Sequence, residues 1–212
     1  MRNQPAIIFI GTIILFASVM ICSNFSYSEN LKPSNTSKQD NIIWHERYRH
    51  IDPKTGFRTA YYRARLPNTV PGGKRITVNE AYTHYQNKSA LFVDVMAHTG
   101  TGPDPIDGHW RLAAPRKNIP GSIWLADVGT GTLSKEMITY YRSNLARITN
   151  EDKTKPLIIY CTQDCWMAWN AVRRAAKWGY KNLLWFPQGS DEWKIKGYPL
   201  VQSTPVPLPP TD

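Results

Sequence analysis

The 212-residue sequence is short of cysteine, of acidic side chains and of clustered metal ligands. It has three cysteines and five histidines, with neither a His-x-x-His pair nor two pairs of closely spaced cysteines. A zinc site or other metal site is therefore not expected, because structural zinc usually takes four protein ligands. Lys and Arg number 26 against 16 Asp and Glu, a formal net charge of +10. Since there is no dense basic run, we expect no nucleic-acid partner; the charge suits small anions, an acidic partner or simple solubility.

Long apolar runs are also scarce, and the one present lies at the N terminus. Arg2 supplies a positive charge, residues 6–21 are mostly apolar, and Ser26 and Ser28 place small residues where signal peptidase reads them. The pattern predicts a signal peptide at residues 1–28 and a periplasmic protein with no membrane attachment after cleavage. A retained membrane anchor is the alternative, for which the apolar stretch is slightly short.

Cleavage after Ser28 would also remove Cys22, which follows Ile21 and so lacks the small preceding residue of a lipoprotein cysteine. Cys161 and Cys165 then remain, four positions apart. In an oxidising exported compartment such a pair can form a disulfide, so its redox state matters for any function assigned to it.

Composition divides the rest of the chain into three parts. Residues 29–76 comprise a polar linker up to residue 41 and then an aromatic and basic extension, which we expect to pack on the main domain. Residues 77–203 form the predicted domain. The proline-rich residues 204–212 are expected to form an extended, disordered tail.

Within the domain, helix and strand patterns alternate. Thr77 and Glu80 form a capping box that predicts a helix to about Gln86. Further helices are predicted over residues 133–148 and from the second cysteine to residue 178, and strands over residues 91–95, 119–124, 157–160 and 182–186. The alternation predicts an α/β fold, a parallel sheet with helices on both faces, with the functional site off the carboxyl ends of the strands.

One segment carries most of the chemical information. Residues 157–160 are apolar and follow Pro156, which predicts a buried strand, and Cys161 comes at its carboxyl end, where the chain turns into an alanine-rich helix. Loop N–H groups and the positive end of a helix dipole favour anions, so we expect a thiol with a lowered pKa. The residues of this predicted anion-binding loop are Thr162, Gln163, Asp164, Trp166 and Met167.

Other side chains beside the loop leave alternatives open. Asp94 ends a neighbouring strand and is a candidate catalytic residue that orients the Cys loop, or else a buried structural aspartate. Trp166 and Trp169 form either the aromatic wall of a pocket for a flat quinone or ordinary core packing. Arg173 and Arg174 are expected on the solvated face of the helix.

The order of these motifs resembles the rhodanese domain, from residue 77 to about residue 200. The motifs are Leu-Phe-Val-Asp-Val at residues 91–95, Ile-Pro-Gly-Ser-Ile at 119–123, Ile-Ile-Tyr-Cys at 158–161, Ala-Ala-Lys-Trp-Gly-Tyr-Lys-Asn-Leu at 175–183, Gln-Gly-Ser-Asp-Glu-Trp at 188–193 and Gly-Tyr-Pro at 197–199. More narrowly, residues 62–67, 124–129 and 161–171 resemble the CXXCW-motif proteins associated with PQQ-dependent catabolism, although the cysteines here are four apart.

The rhodanese resemblance implies that Cys161 is the sulfur-carrying residue, with a persulfide that the loop N–H groups stabilise. The narrower resemblance implies an exported accessory protein of PQQ-dependent alcohol oxidation, of the methanol type. Its implied partner is a periplasmic PQQ-dependent dehydrogenase, or the electron-transfer or transport system of that enzyme. No cofactor is required, and PQQ enters through this family association alone.

Two departures from the rhodanese loop pattern Cys-x-x-Gly-x-Arg argue against efficient thiosulfate turnover. Asp164 stands at the glycine position and Trp166 at the arginine position, so a carboxylate is present and the basic residue that helps to bind an anionic donor is missing. The second departure is Cys165, which lies where it can attack a Cys161 persulfide or close a disulfide.

Three hypotheses therefore stay open. In the leading one, Cys161 and Cys165 act as a thiol–disulfide redox pair. In the second, Cys161 carries a persulfide in a sulfurtransferase that acts on a small sulfur anion. In the third, a non-catalytic binding module presents Trp166 and Trp169 to PQQ or to a dehydrogenase. A purely structural disulfide is a further alternative, although so short a loop gives only about 2 kcal/mol in the chain-entropy model.

Overall fold

The structure is a computed structural model that describes residues 48–209. The predicted signal peptide, the polar linker and the last three residues of the predicted tail lie outside the described residues. Between residues 48 and 209, no helix combines the length and the apolar character that a membrane span requires.

Strands and helices alternate through most of the described chain. In chain order they are β1 (Lys74–Arg75), α1 (Val78–Asn87), β2 (Leu91–Asp94), β3 (Gly100–Pro103), β4 (Trp110–Leu112), β5 (Arg116–Asn118), β6 (Ile123–Trp124), α2 (Lys135–Thr149), β7 (Leu157–Tyr160), α3 (Trp166–Lys177), β8 (Leu183–Phe186), α4 (Gly189–Ile195) and β9 (Val201–Ser203).

A five-stranded parallel sheet forms the centre, in the order β1-β8-β7-β2-β6. Along β2, Phe92 packs with α1 and α4 while Val93 packs with α2 and α3; along β7, Ile158 and Ile159 divide in the same way. The division follows from the strand geometry, because successive side chains point to opposite faces of a sheet. The predicted α/β fold, with a parallel sheet and helices on both faces, is confirmed.

Helix ends follow the local sequence signals. At the start of α1, the Glu80 amide donates to Thr77 Oγ1 at 3.3 Å and the Thr77 amide donates to Glu80 Oε2 at 2.7 Å, which is the predicted capping box. After α3, Gly179 adopts φ 92° and its amide donates to the Ala176 carbonyl at 3.0 Å. That backbone conformation favours glycine, so the helix ends where the sequence indicates.

Residues 204–209, in the described part of the predicted tail, are hydrogen-bonded to the domain. The Val206 amide donates to the Trp124 carbonyl at 2.9 Å, and the Val206 carbonyl accepts from the Tyr140 hydroxyl at 2.7 Å. The Leu208 amide donates to the Gly108 carbonyl at 3.0 Å. Composition misses these bonds because the residues between the prolines keep their N–H donors, which an extended backbone can present to neighbouring segments.

The extension before β1 packs on α3. Asn170 links the two: its Oδ1 accepts from the Arg58 amide at 2.9 Å and its Nδ2 donates to the Arg58 carbonyl at 2.8 Å. The Arg58 guanidinium lies 4.6 Å from the ring centre of Trp166, and Tyr48 meets the same ring edge-on at 6.1 Å. These contacts cover the first turn of α3, directly after the loop that holds the two cysteines.

Arg174 is buried, and the expectation that it would be solvated is wrong. Only 5% of its surface is exposed. Its guanidinium donates to the carbonyls of Val128 at 2.8 Å, Thr130 at 2.9 Å and Gly131 at 3.1 Å, and burial lowers its pKa. The planar group satisfies three acceptors of one loop at once, which a sequence pattern cannot reveal because that loop is more than 40 positions away.

We predict that Arg174→Met lowers the free energy of unfolding by about 3 kcal/mol, because two buried carbonyls and one partly buried carbonyl lose their donors. Urea denaturation of the purified protein measures this change. Arg49→Met is the matched control: Arg49 is exposed, and its replacement should change stability by less than about 0.5 kcal/mol. Equal effects of the two substitutions would show that the bonds of Arg174 do not stabilise the fold.

Candidate functional site

Cys161 and Cys165 form a disulfide at the carboxyl end of β7. Their Cα atoms are 6.1 Å apart, and the loop between them leads directly into α3. Cys161 is fully buried and Cys165 is 6% exposed. The sequence therefore placed both cysteines correctly, at the carboxyl edge of the sheet and before a helix N terminus.

Part of the capacity of the loop between the cysteines to bind an external anion is taken up by another side chain of the protein. Asp164 adopts φ 54°, the left-handed conformation that the rhodanese glycine position suggests and that aspartate tolerates better than most residues. The exposed Gln163 donates its amide to Asp191 Oδ2 at 3.1 Å. A carboxylate of the protein thus already occupies one donor of the predicted anion nest.

Residues 62–64, which we name the strap, lie antiparallel to the Cys loop. The Trp166 amide donates to the Tyr62 carbonyl at 2.7 Å, and the Ala64 amide donates to the Asp164 carbonyl at 3.0 Å. The Trp166 N–H group, at the start of α3, is therefore bonded to the strap and not available to an anion, and the strap covers Cys165. A protein disulfide or thiol can reach this pair only if the strap moves or the approach comes from another side.

Arg63, in the strap, supplies positive charge to the loop. Its Nη2 donates to Thr162 Oγ1 at 2.9 Å and its Nη1 donates to the Gln163 carbonyl at 3.1 Å. The Thr162 hydroxyl lies 3.8 Å from Cys161 Sγ. The sequence reasoning missed Arg63, since nothing in the spacing connects it to a loop about 100 positions later. The one available signal was that the loop itself contains no arginine, so that a basic residue beside it has to come from another segment.

Asp94 forms a buried ion pair behind the disulfide. Its Oδ2 accepts from Arg116 Nε at 2.8 Å and lies 2.7 Å from Nη2, while its Oδ1 accepts from the Met96 amide at 2.9 Å. Complete burial raises the pKa of the Asp94 carboxyl, and the Arg116 guanidinium acts in the opposite direction. The observed hydrogen bonds match the alternative of a structural aspartate, because they hold Arg116 and the chain after β2, not the Cys loop.

Trp166, Met167 and Trp169 pack in the core and do not line an open site. Their exposed fractions are 0%, 4% and 3%. The two indole rings meet edge to face at 5.1 Å; Arg58 lies over Trp166, and Arg173 lies 4.8 Å from the centre of Trp169. This burial matches ordinary core packing, one of the two alternatives that the sequence left open for Trp166 and Trp169.

Met96 brings a third sulfur atom to the site. Its Sδ lies 3.4 Å from Cys161 Sγ and 3.9 Å from Thr162 Oγ1. Met96 is two residues beyond Asp94 and is partly exposed. The sequence analysis did not single it out, because a methionine after a buried strand is usually a packing residue.

Comparison with solved structures matches this chain to a protein from Wolinella succinogenes. It is the solution structure of the 30 kDa polysulfide-sulfur transferase homodimer from Wolinella succinogenes. The two sequences are 12% identical, the match covers 79% of this chain and 93% of that chain, and the TM-score is 0.40. No protein with curated information matches this sequence significantly.

The sequence profile of the rhodanese-like domain matches residues 77–196. That interval holds the parallel sheet from β2 to β8, the four helices and the disulfide, whereas the strap lies before it. The match confirms the rhodanese resemblance inferred from the motifs. The chain belongs to the rhodanese-like domain family.

Proposed function

We propose that this protein is an exported thiol–disulfide exchange protein built on a rhodanese-like domain. One observation carries the proposal: Cys165 closes a disulfide with Cys161, the residue that the rhodanese resemblance implies is the sulfur carrier. In this state Cys161 has no thiol to receive sulfur. The pair can instead cycle between a disulfide and two thiols.

The exchange takes two steps in the reduced protein. The Cys161 thiolate attacks a substrate disulfide, one substrate sulfur leaves as a thiolate, and a mixed disulfide forms on Cys161. The Cys165 thiolate then attacks Cys161 Sγ and releases the second substrate thiolate. The substrate disulfide gains two electrons, the cysteine pair loses two, and the closed Cys161–Cys165 disulfide results.

The surroundings of the loop support thiolate chemistry. Cys161 precedes α3 by a short loop, so a negative charge on its sulfur is close to the positive end of the helix dipole. Arg63 adds a full positive charge, and its Nη2 donates to Thr162 Oγ1 at 2.9 Å. Both features stabilise the thiolate relative to the disulfide, which makes the disulfide easier to reduce than a purely structural one.

Export and a role beside PQQ-dependent alcohol oxidation are part of the same proposal. They rest on the N-terminal signal pattern and on the likeness of residues 62–67, 124–129 and 161–171 to the CXXCW-motif proteins. The proposed partner is a protein with a reactive disulfide in the periplasmic PQQ-dehydrogenase system. The proposal does not require PQQ to be bound to this protein itself.

Sulfur transfer is the second candidate, and Arg63 is the observation that favours it. The guanidinium restores beside the loop the positive charge that the loop sequence lacks. The Cys161 thiolate would attack the outer sulfur of thiosulfate and release sulfite with the electron pair of the broken S–S bond. Asp191, on the Gln163 amide, opposes this reaction because it competes with the anion.

For thiol–disulfide exchange, we predict that reduced Cys165→Ser retains one glutathionyl group after incubation with glutathione disulfide, since no second thiolate can release it. The reduced wild-type protein should instead end as the internal disulfide with no group attached. Cys161→Ser is the matched control and should react at least about tenfold more slowly, because its remaining thiol lies under the strap. Intact-mass spectrometry follows all three proteins.

Two results would reject this mechanism. One is a Cys165→Ser protein that forms no mixed disulfide with glutathione and none with proteins of the exported fraction. The other is a Cys161→Ser protein that reacts faster than Cys165→Ser, which would reverse the roles of the two cysteines.

For the second candidate, we predict that thiosulfate and cyanide yield thiocyanate and that Cys161→Ser abolishes the reaction. Arg63→Gln should lower kcat/KM by at least about tenfold, since a hydrogen bond to a charged group contributes about 1.5–3 kcal/mol. Arg49→Gln serves as the control and should be unchanged. If the wild-type protein releases no thiocyanate from thiosulfate or from mercaptopyruvate, sulfur transfer is rejected.

A further inference from the structure

Three sulfur atoms converge at the carboxyl edge of the sheet. Cys161 Sγ and Cys165 Sγ are bonded to each other, and Met96 Sδ lies 3.4 Å from Cys161 Sγ. Because Cys161 Sγ is part of a disulfide and carries no proton, its contact with the Met96 thioether is a sulfur–sulfur contact and not a hydrogen bond.

The backbone of Met96 is held on both sides, so its sulfur is directed to this place. The Met96 amide donates to Asp94 Oδ1 at 2.9 Å, and its carbonyl accepts from Trp124 Nε1 at 2.7 Å. Asp94 is fixed in turn by Arg116. The buried ion pair, which the disulfide chemistry does not use, thus positions the third sulfur.

We propose that the reduced protein binds one Cu(I) ion through the Cys161 and Cys165 thiolates and the Met96 thioether. Thiolate and thioether ligands are soft and select Cu(I), whereas zinc usually requires four protein ligands. Among residues 48–209, no group of three or more His, Cys, Asp and Glu side chains could hold a metal ion. This donor set therefore fits a soft monovalent ion of low coordination number.

The charge of the surroundings favours such a complex. Cu(I) with two thiolates and a neutral thioether carries one net negative charge. Arg63 donates to Thr162 Oγ1, which lies 3.8 Å from Cys161 Sγ and 3.9 Å from Met96 Sδ. The guanidinium and the start of α3 stabilise this charge as they would stabilise a thiolate.

The ion has a route that avoids the strap. Met96 is partly exposed and lines a cavity of about 250 Å³. Arg116 and Lys117 also line this cavity, so Cu(I) would enter it more readily as an anionic or neutral complex with a small carrier thiol than as the free cation. Since Met96 Sδ contacts Cys161 Sγ, an ion that reaches the Met96 thioether from this cavity lies next to the Cys161 thiolate of the reduced protein. The proposed site goes beyond the exchange function, because it needs only the reduced protein and no substrate disulfide.

The test begins with reduction of the disulfide by a water-soluble phosphine under nitrogen. The phosphine is oxidised by two electrons to its oxide, which takes oxygen from water, and two thiols remain. Cu(I) is then titrated against the coloured chelator bicinchoninate, and each bound ion displaces the two thiol protons. We expect one Cu(I) per reduced chain, none in the disulfide form, and three sulfur neighbours by copper X-ray absorption.

Met96→Leu isolates the thioether because leucine has a similar volume. We expect its Cu(I) affinity to fall at least about tenfold, with two sulfur neighbours instead of three. Met137→Leu, in α2, is the matched control and should bind as the wild type does. In selenomethionine-labelled protein one copper neighbour should be selenium, a result that needs no substitution. No Cu(I) binding, unchanged affinity of Met96→Leu, or no selenium neighbour would each overturn the proposal.

Discussion

The site depends on the position of β7 in the middle of the parallel sheet. β7 pairs with β2 on one side and β8 on the other, and all four of its residues are buried. A strand enclosed in this way has little freedom to shift, so the residue that follows it is fixed in space. Cys161 is that residue. Asp94, paired with Tyr160 in the register, is fixed by the same sheet.

The chemical environment of Cys161, in contrast, is built partly from outside the family domain. The strap pairs with the Cys loop through backbone hydrogen bonds and brings Arg63 to it. From the other side, the chain after β2 brings Met96. Positive charge and a thioether sulfur thus reach residues 161–165, which contain neither a basic residue nor a methionine. Asp191 limits the capacity of this loop for small anions, because it already accepts from the Gln163 amide.

The fold was predictable from the sequence because its signals are local. Apolar runs gave β2 and β7, the pair Thr77 and Glu80 gave the start of α1, and the position of Cys161 followed from strand and helix order. The rest depends on contacts between residues far apart in the chain. Arg63 and Arg174 resemble ordinary surface arginines until the fold brings carbonyl groups to them. In the same way, Val206 and Leu208 bond to residues about 80 to 100 positions earlier, which no local pattern indicates.

The central claim is that the Cys161–Cys165 disulfide is exchangeable and not a fixed staple. Its reduction potential tests this most directly, measured by equilibrating the protein in glutathione or dithiothreitol buffers and determining the oxidised fraction by intact mass. Because the helix start and Arg63 stabilise the thiolate, we predict a value between about −120 and −270 mV, the range of exchange proteins. A value below about −300 mV, typical of structural disulfides, would contradict the account.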